Sequence, residues 1–371
     1  MYEDDPKNIP AARYSLSALL RPPSLLRLGL IGGVMAAVVV CFAWAAGWLA
    51  PGRLDQARII NAFEAANRPQ QLGFRRNHAK GVCLTGWFDS NGAAAGYSRA
   101  VVFRPGRVPV FGRFALAGGM PRAPDNPKTV RSMALNFNLP NGEVWRTGMN
   151  DIPVFTVNTA QGFYDQQIAN MPDPKTHKPD PLALKAFLAA HPEAVRATNI
   201  IKAHPFAADF ANSTFNSLNA FRFLDTAGHA TPVRWAMVPE DQFVPEAAVP
   251  PQGANYLFDQ LIARIDKGPA RWHLIVTIGQ PGDPTRDVTV LWRNDRKKID
   301  AGTLTVTGIA SEATGNCRDI NFDPLVLPAG ITPSDDPLLS LRSAAYAVSF
   351  TRRAGEPKMP SAVQLATGRA H

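Results

Sequence analysis

The longest apolar stretch of the chain, Leu28–Ala50, runs for 23 residues without a charged side chain. At about 1.5 Å per residue, such a helix spans the hydrocarbon core of a bilayer. Beyond it the pattern turns amphipathic. Leu54, Ala57, Ile60 and Phe63 share one face of a helix predicted over Leu54–Asn67, with Pro69 past its end. Val82–Phe88, Val101–Phe103 and Val108–Phe114 read as extended, and the Gly- and Pro-rich stretch Gly118–Thr129 reads as a loop. Met133, Leu135, Phe137 and Leu139 alternate with polar or small residues, as on a half-buried strand. Pro140-Asn141-Gly142 turns that strand back into Val144–Arg146. Met171–Pro181 is a Pro- and charge-rich linker, followed by a helical stretch, Leu182–His204, broken near Pro192. Asn219–Phe223 and Val233–Val238 flank the turn Asp225-Thr226-Ala227-Gly228. Tyr256–Asp266 is an amphipathic helix ended by Gly268, and Trp272–Ile278 and Thr303–Val306 are further strands. Asp336 as N-cap and Pro337 at the first helical position open a last helix. From Gly355 the tail has no periodicity and is expected to be disordered. Many strands with few helices predict an α+β fold, an antiparallel barrel with helices packed on it.

Charge orients the apolar stretch. Lys7, Arg13, Arg21 and Arg27 precede it, whereas Arg53 and Arg58, with Asp55 between them, follow closely. The positive-inside rule puts residues 1–27 in the cytoplasm, residues 28–50 across the inner membrane and residues 51–371 on the periplasmic side. Trp44 and Trp48 sit where interfacial aromatics belong. A cleaved signal sequence is the rival, but its apolar region usually runs only about 7–15 residues. Ala43-Trp44-Ala45, the one cleavage-like site, lies inside the apolar run. Cys41 belongs to that run; Cys83 and Cys317 fall in the exported part, where a disulfide is permitted, and their pairing stays open. The formal net charge is +9, but the basic residues are scattered and no nucleic-acid motif is present. They read as a solvated surface, not as a nucleic-acid site.

The candidate chemistry starts at Arg342 and Tyr346, one turn apart on the last helix. A phenol with a pKa near ~10 must shift by roughly three units, about 4 kcal/mol, to be an anion at neutral pH. A neighbouring guanidinium and a ferric ion both act in that direction, and Tyr is one of the few axial ligands of haem. By itself the spacing is that of an ordinary surface pair. Upstream, however, run Asn321-Phe322-Asp323-Pro324, Pro328-Ala329-Gly330-Ile331 and Ser334-Asp335-Asp336. Together these resemble the haem-ligand segment of the catalase superfamily. Ala329 is an insertion, and Ala347-Val348-Ser349-Phe350 departs from the full catalases in the manner of the smaller catalase-related peroxidases, which the chain resembles more closely.

The resemblance extends from Leu72 to Arg353. Arg75 followed by His78-Ala79-Lys80-Gly81 matches the segment that carries the family's distal acid–base His; alone, such a His is usually structural. Gly112-Arg113-Phe114-Ala115 matches one whose Arg binds a haem propionate and whose Ser, here Ala115, supports the distal His. Asn150-Asp151-Ile152-Pro153-Val154-Phe155 puts Asn150 at the peroxide-binding Asn, and Phe155 and Phe163 match pocket aromatics that would otherwise read as core. Arg353 matches a further propionate contact, and Phe322 lies in the Phe-Asp-Pro motif.

The resemblance implies an antiparallel β-barrel of the catalase haem-domain type, preceded here by one transmembrane helix. It also implies a haem b peroxidase that oxidises a small organic donor with hydrogen peroxide or an organic peroxide, with weak catalase activity beside it. His78 would serve as acid and base, Asn150 would position the peroxide, and Tyr346 would ligate iron, tuned by Arg342. Arg75, Arg113 and Arg353 would neutralise the propionates. True catalase, a hydroperoxide-rearranging haem enzyme and a tethered haem-binding barrel without turnover are the alternatives; His78 and Asn150 argue against the last. Where full catalases carry an Asp after Val-Arg, this chain has Val130-Arg131-Ser132. Without that carboxylate, and with Ala115 leaving the imidazole less firmly held, donor oxidation is expected to outweigh oxygen release.

Overall fold

The computed structural model describes residues 22–45, 48–49, 54–248 and 252–365. Two units separate, Met1–Leu54 and Asp55–His371. The first holds helix α1, Pro22–Ala45. Two prolines at its start need no intrahelical donor there, so the helix begins before the apolar run does. Its Leu25–Ala45 portion, of mean hydropathy 2.3, is long and apolar enough to cross a membrane. The basic residues Lys7, Arg13 and Arg21, and Arg53 beyond the helix, lie outside the described residues.

In the second unit, alternation builds a closed barrel. Strands β1 (Lys80–Ser90), β2 (Gly106–Leu116), β3 (Arg131–Asn138), β4 (Val144–Asn150), β5 (Phe215–Asn216), β6 (Phe221–Leu224), β7 (Ala230–Pro239), β8 (Ala270–Ile278), β9 (Lys298–Ser311) and β10 (Ile331–Pro333) form one sheet. The ring runs β7-β5-β4-β3-β2-β1-β9-β8, and β8 pairs back onto β7, so eight strands close while β6 and β10 extend from β7. Every pairing is antiparallel. Closure removes the free edges that an open sheet would expose. Inside, Phe114, Phe137, Trp145, Trp235 and Trp272 are buried, with Phe137 stacked on Trp145 at 4.6 Å. Around the barrel lie α2 (Gln56–Ala66), α3 (Ala160–Ala169), α4 (Pro181–Ala190), α5 (Pro192–Ala203), α6 (Tyr256–Asp266) and α7 (Pro337–Ala354). Helix α2 packs on α7 and α3.

Several local expectations change. Val101–Phe103 is a 3₁₀ turn, not extended chain: Arg104 N–H closes onto the Val101 carbonyl, which buries Val102 and Phe103 without alternation. Helix α3 escapes the pattern because its apolar residues form no stripe; the Thr159 hydroxyl starts it by accepting from Gly162 N–H. The tail beyond Gly355 forms no regular element, yet up to Leu365 it is held, not free. Glu356 pairs with Arg76, Lys358 with Asp319, Arg318 donates to the Met359 carbonyl, and Val363 is buried. Missing periodicity excludes a repeated face, but not single contacts. Cys83 and Cys317 form a disulfide.

Candidate active site

Successive side chains on a strand point to opposite faces. With Phe114, Met133 and Met149 turned into the barrel, their neighbours on β2, β3 and β4 face outward. The register sets them in two rows: Ala115, Ser132 and Asn150, then Arg113, Ala134 and Gly148. Arg131 and Asp151 flank Ser132 and Asn150 and form a buried ion pair (Nη1–Oδ2 3.0 Å, Arg131 N–H to Oδ1 2.8 Å), which pins the ends of β3 and β4 together.

His78 enters this face from just ahead of β1. Its φ of 55° lies in the left-handed region, which a non-glycine residue occupies only when its surroundings hold it there. Asn77 supplies the hold: its Oδ1 accepts from both His78 N–H at 2.9 Å and Gly118 N–H at 2.8 Å. The imidazole Nδ1 is 3.0 Å from Ser132 Oγ, and Ser132 Oγ also bonds Asn150 Oδ1. Burial, then the charges of Arg113, Arg342 and Arg75, lower the His78 pKa to about 3. The ring is therefore neutral at physiological pH. The expectation that Ala115 leaves it loosely held is corrected: the neighbouring strand provides the hydroxyl instead, from Ser132. The other motif residues after His78 are structural. Lys80 is paired with Asp125 at 2.6 Å, both buried, and a Cβ at Gly81 would meet Arg113 Nη2 at 2.5 Å.

From α7 come Arg342 and Tyr346. Asp336 caps the helix, accepting from Leu338 N–H at 2.9 Å, while its second oxygen accepts from Asn219 Nδ2 at 2.7 Å. Asn219 Oδ1 accepts in turn from Arg342. A chain of polar contacts thus fixes the guanidinium one turn from the phenol. Beside them on β4, the Gly148 carbonyl accepts from Arg342 Nη2 at 3.4 Å, and a Cβ there would make only an ordinary contact with Tyr346 Oη, at 3.7 Å.

All ten sequence-predicted residues line one cavity: His78 and Asn150, with Arg75, Arg113, Phe155, Phe163, Phe322, Arg342, Tyr346 and Arg353. Phe155 and Phe163 touch at 5.7 Å between ring centres, and Arg75 lies over Phe322 at 5.5 Å. Sequence reasoning missed Asn219, Asp336 and Gly148 as site residues, and also Glu312. Glu312 binds Arg113 through both oxygens, at 2.6 and 3.2 Å. Although burial opposes it, Arg113, Arg75 and Arg353 hold its pKa below the ordinary value. Arg75 and Arg353 instead donate to backbone carbonyls: Cys317, Arg318 and Ile320 for the first, Arg318 for the second. The Cys83–Cys317 disulfide fastens that loop to β1. Burial, then repulsion from Arg113 and Arg353, lowers Arg75 to about 9.

Haem fits these residues. The guanidiniums of Arg75, Arg113 and Arg353 outnumber Glu312, the carboxylate bonded among them, and propionates would balance the remaining positive charge. The buried Nε atoms of Arg75 and Arg353 have no partner among the described residues. Unpaired buried donors are costly, and an anion with several acceptor oxygens relieves that cost.

A family profile described as "Catalase" matches residues 46–360. A "Catalase-related peroxidase" of Synechococcus elongatus is 39% identical over 284 residues, 76% of this chain and 84% of that protein. Another, of Mycolicibacterium paratuberculosis, is 32% identical over 307 residues, covering 82% and 96%. Among solved structures, a fungal catalase matches with a TM-score of 0.69 at 17% identity, over 80% of this chain and 64% of that one. A bacterial catalase matches with a TM-score of 0.67 at 22% identity, over 82% and 62%. This chain therefore spans less than two thirds of either solved structure, and at these identities they speak for the fold. The profile over most of the length and the two relatives above 30% identity establish that the chain belongs to the catalase family.

Proposed function

We propose that this chain is a haem b-dependent peroxidase that reduces hydrogen peroxide while oxidising a small organic donor. The observation that carries the reading is the convergence of His78, Asn150, Arg342, Tyr346 and three arginines on one cavity of the barrel's outer face. Bound haem b would supply the redox centre at which the peroxide O–O bond is cleaved. Tyr346 would ligate its iron, and Arg342, held by Asn219, would tune that ligand from one turn away. Arg75, Arg113 and Arg353 would take the propionates through charge-assisted hydrogen bonds.

Neutral His78 accepts a proton from one peroxide oxygen and returns it to the other as that oxygen leaves. Asn150 orients the peroxide for this exchange. Phe155 and Phe163 keep the cavity wall apolar, which strengthens each polar contact inside it. The balance is one peroxide and two donor hydrogens in, two waters and the oxidised donor out. That two relatives are named catalase-related peroxidase supports reading donor oxidation ahead of oxygen release. We read α1 as an uncleaved inner-membrane anchor with the barrel in the periplasm, supported by the flanking charges and by a disulfide, which persists in oxidising compartments.

The test is the absorption spectrum of the purified protein and of Tyr346→Phe, followed by donor oxidation and oxygen release on one preparation. A haem band altered by Tyr346→Phe, with donor oxidation dominant, is the expected result. An unchanged spectrum, or oxygen release with negligible donor oxidation, would overturn it.

A further inference from the structure

We propose that Ser132 is a positioning residue whose single hydroxyl sets the hydrogen-bonding sense of both His78 and Asn150, so that the two present a proton acceptor and a proton donor to the substrate together. The proposal rests on the peroxidase reading and adds a component to that site.

The argument is one of proton counting. A serine hydroxyl carries one hydrogen and accepts through its lone pairs. Ser132 Oγ is 3.0 Å from His78 Nδ1 and in contact with Asn150 Oδ1. An amide oxygen has no hydrogen to give, so the hydroxyl donates to Asn150. That leaves it only as an acceptor toward His78, and Nδ1 must carry the hydrogen. A neutral imidazole with its proton on Nδ1 has its lone pair on Nε2. The same hydroxyl ties up the oxygen end of the Asn150 amide, which leaves the NH₂ end to donate. If Nδ1 accepted instead, the one hydroxyl proton would go to it, and the Asn150 amide would have to turn its NH₂ end to Ser132. The site is therefore coupled: base and donor are set by one atom.

The surroundings hold this arrangement, and among the described residues no other side chain bonds both groups. Ser132 is buried, at 8% exposure. It lies across from Ala115 on one side and Asn150 on the other in the strand register, and Ala115 has no polar atom to offer. The Arg131–Asp151 pair adjoining both Ser132 and Asn150 fixes the separation of their strands. His78 cannot swing away freely, since Asn77 secures its left-handed backbone.

The test uses the haem-loaded full chain, with rates normalised to bound haem. Ser132→Val and Ser132→Thr have the same shape and differ only in the hydroxyl, so a packing role predicts that they behave alike. The second-order constant for peroxide should fall about 10- to 100-fold in Ser132→Val and Ser132→Ala, the usual cost of losing a group that orients a functional imidazole. Ser132→Thr should exceed Ser132→Val by at least about tenfold, while the rate constant for donor oxidation is the same in both. Equal peroxide constants for the Thr and Val variants, or an Ala variant within twofold of the unaltered protein, would overturn the proposal. His78→Ala separates the two levels. If it leaves the peroxide constant intact, the general-base reading itself is wrong. If it lowers the constant while Ser132→Val does not, only the role of Ser132 is wrong.

Discussion

Glu312→Gln probes the charge arrangement on which the cofactor assignment depends. Glu312 is the carboxylate set among the Arg75, Arg113 and Arg353 guanidiniums, bonded to Arg113 at 2.6 and 3.2 Å with both side chains at most 8% exposed. Removing one partner of a buried pair costs about 3–5 kcal/mol, because the other charge stays buried and unpaired. Gln keeps the shape and one acceptor oxygen, which points to the lower end, about 3 kcal/mol. For a domain of this size each kcal/mol moves the melting temperature by about 2 °C, so the haem-free variant should melt about 6 °C lower. With haem bound, the propionates supply countercharge that the mutation cannot remove, and the loss should be about half as large. By linkage the difference, about 1.5 kcal/mol, appears as haem affinity: the folded variant binds haem roughly tenfold more tightly than the unaltered protein does. The folded-state pKa of Glu312 is held below its ordinary value of 4.5. Its stabilisation is therefore present above that value and lost as the pH falls through the folded-state pKa. The assay is thermal or urea unfolding of both proteins, with and without haem, at pH 7. Equal losses with and without haem would refute the claim that the propionates join this cluster. An unchanged haem-free protein would refute the claim that the pair is energetically important.

Tyr346→Phe should lose most bound haem, or its charge-transfer bands, read from the spectrum of the purified variant. His78→Ala should retain haem but react with peroxide about 10²–10⁴-fold more slowly; a rate within twofold of the unaltered protein rejects the assignment. Because burial and three arginines lower His78 from 6.5 to about 3, the peroxide reaction should show no break near pH 6.5. By the same shift, His78 contributes stability fully above pH 6.5 that is lost as the pH falls toward 3. An acid limb centred near 6.5 that vanishes in His78→Ala would contradict this. Cys83→Ser should lower stability by about 2–5 kcal/mol and weaken haem retention, because the loop that accepts from Arg75 and Arg353 is released; unaltered haem content would show that the loop is held by other means.

What the sequence yields here follows from how local each signal is. Most strands of the closed ring are legible as extended stretches, β3 most clearly by its alternation, and Asp336-Pro337 announces α7, because each is written within a few consecutive residues; the two-residue β5 is too short to carry a pattern. The residues carried by motif, from Arg75 to Arg353, line one cavity for the same reason: each sits in a short recognisable string. What was not legible is what depends on two strings meeting. Glu312 and Arg113 are 199 residues apart, Asn219 and Asp336 117 apart, and Cys83 and Cys317 234 apart. Ser132 is different, because it was within reach. Met133, Leu135 and Phe137 mark the inward face of β3, so Ser132 and Ala134 face outward. The turn at Pro140-Asn141-Gly142 sets Asn138 opposite Val144, and stepping down both strands from that pair brings Ser132 opposite Asn150. Reading position 132 only against the carboxylate found there in full catalases hid what the hairpin register says of it. A hydroxyl one strand over from the expected one reaches the same imidazole, and it also reaches Asn150. The loss of serine at Ala115 therefore removes no support from His78, and any preference for donor oxidation has to arise elsewhere, in access to the cavity or in the missing carboxylate.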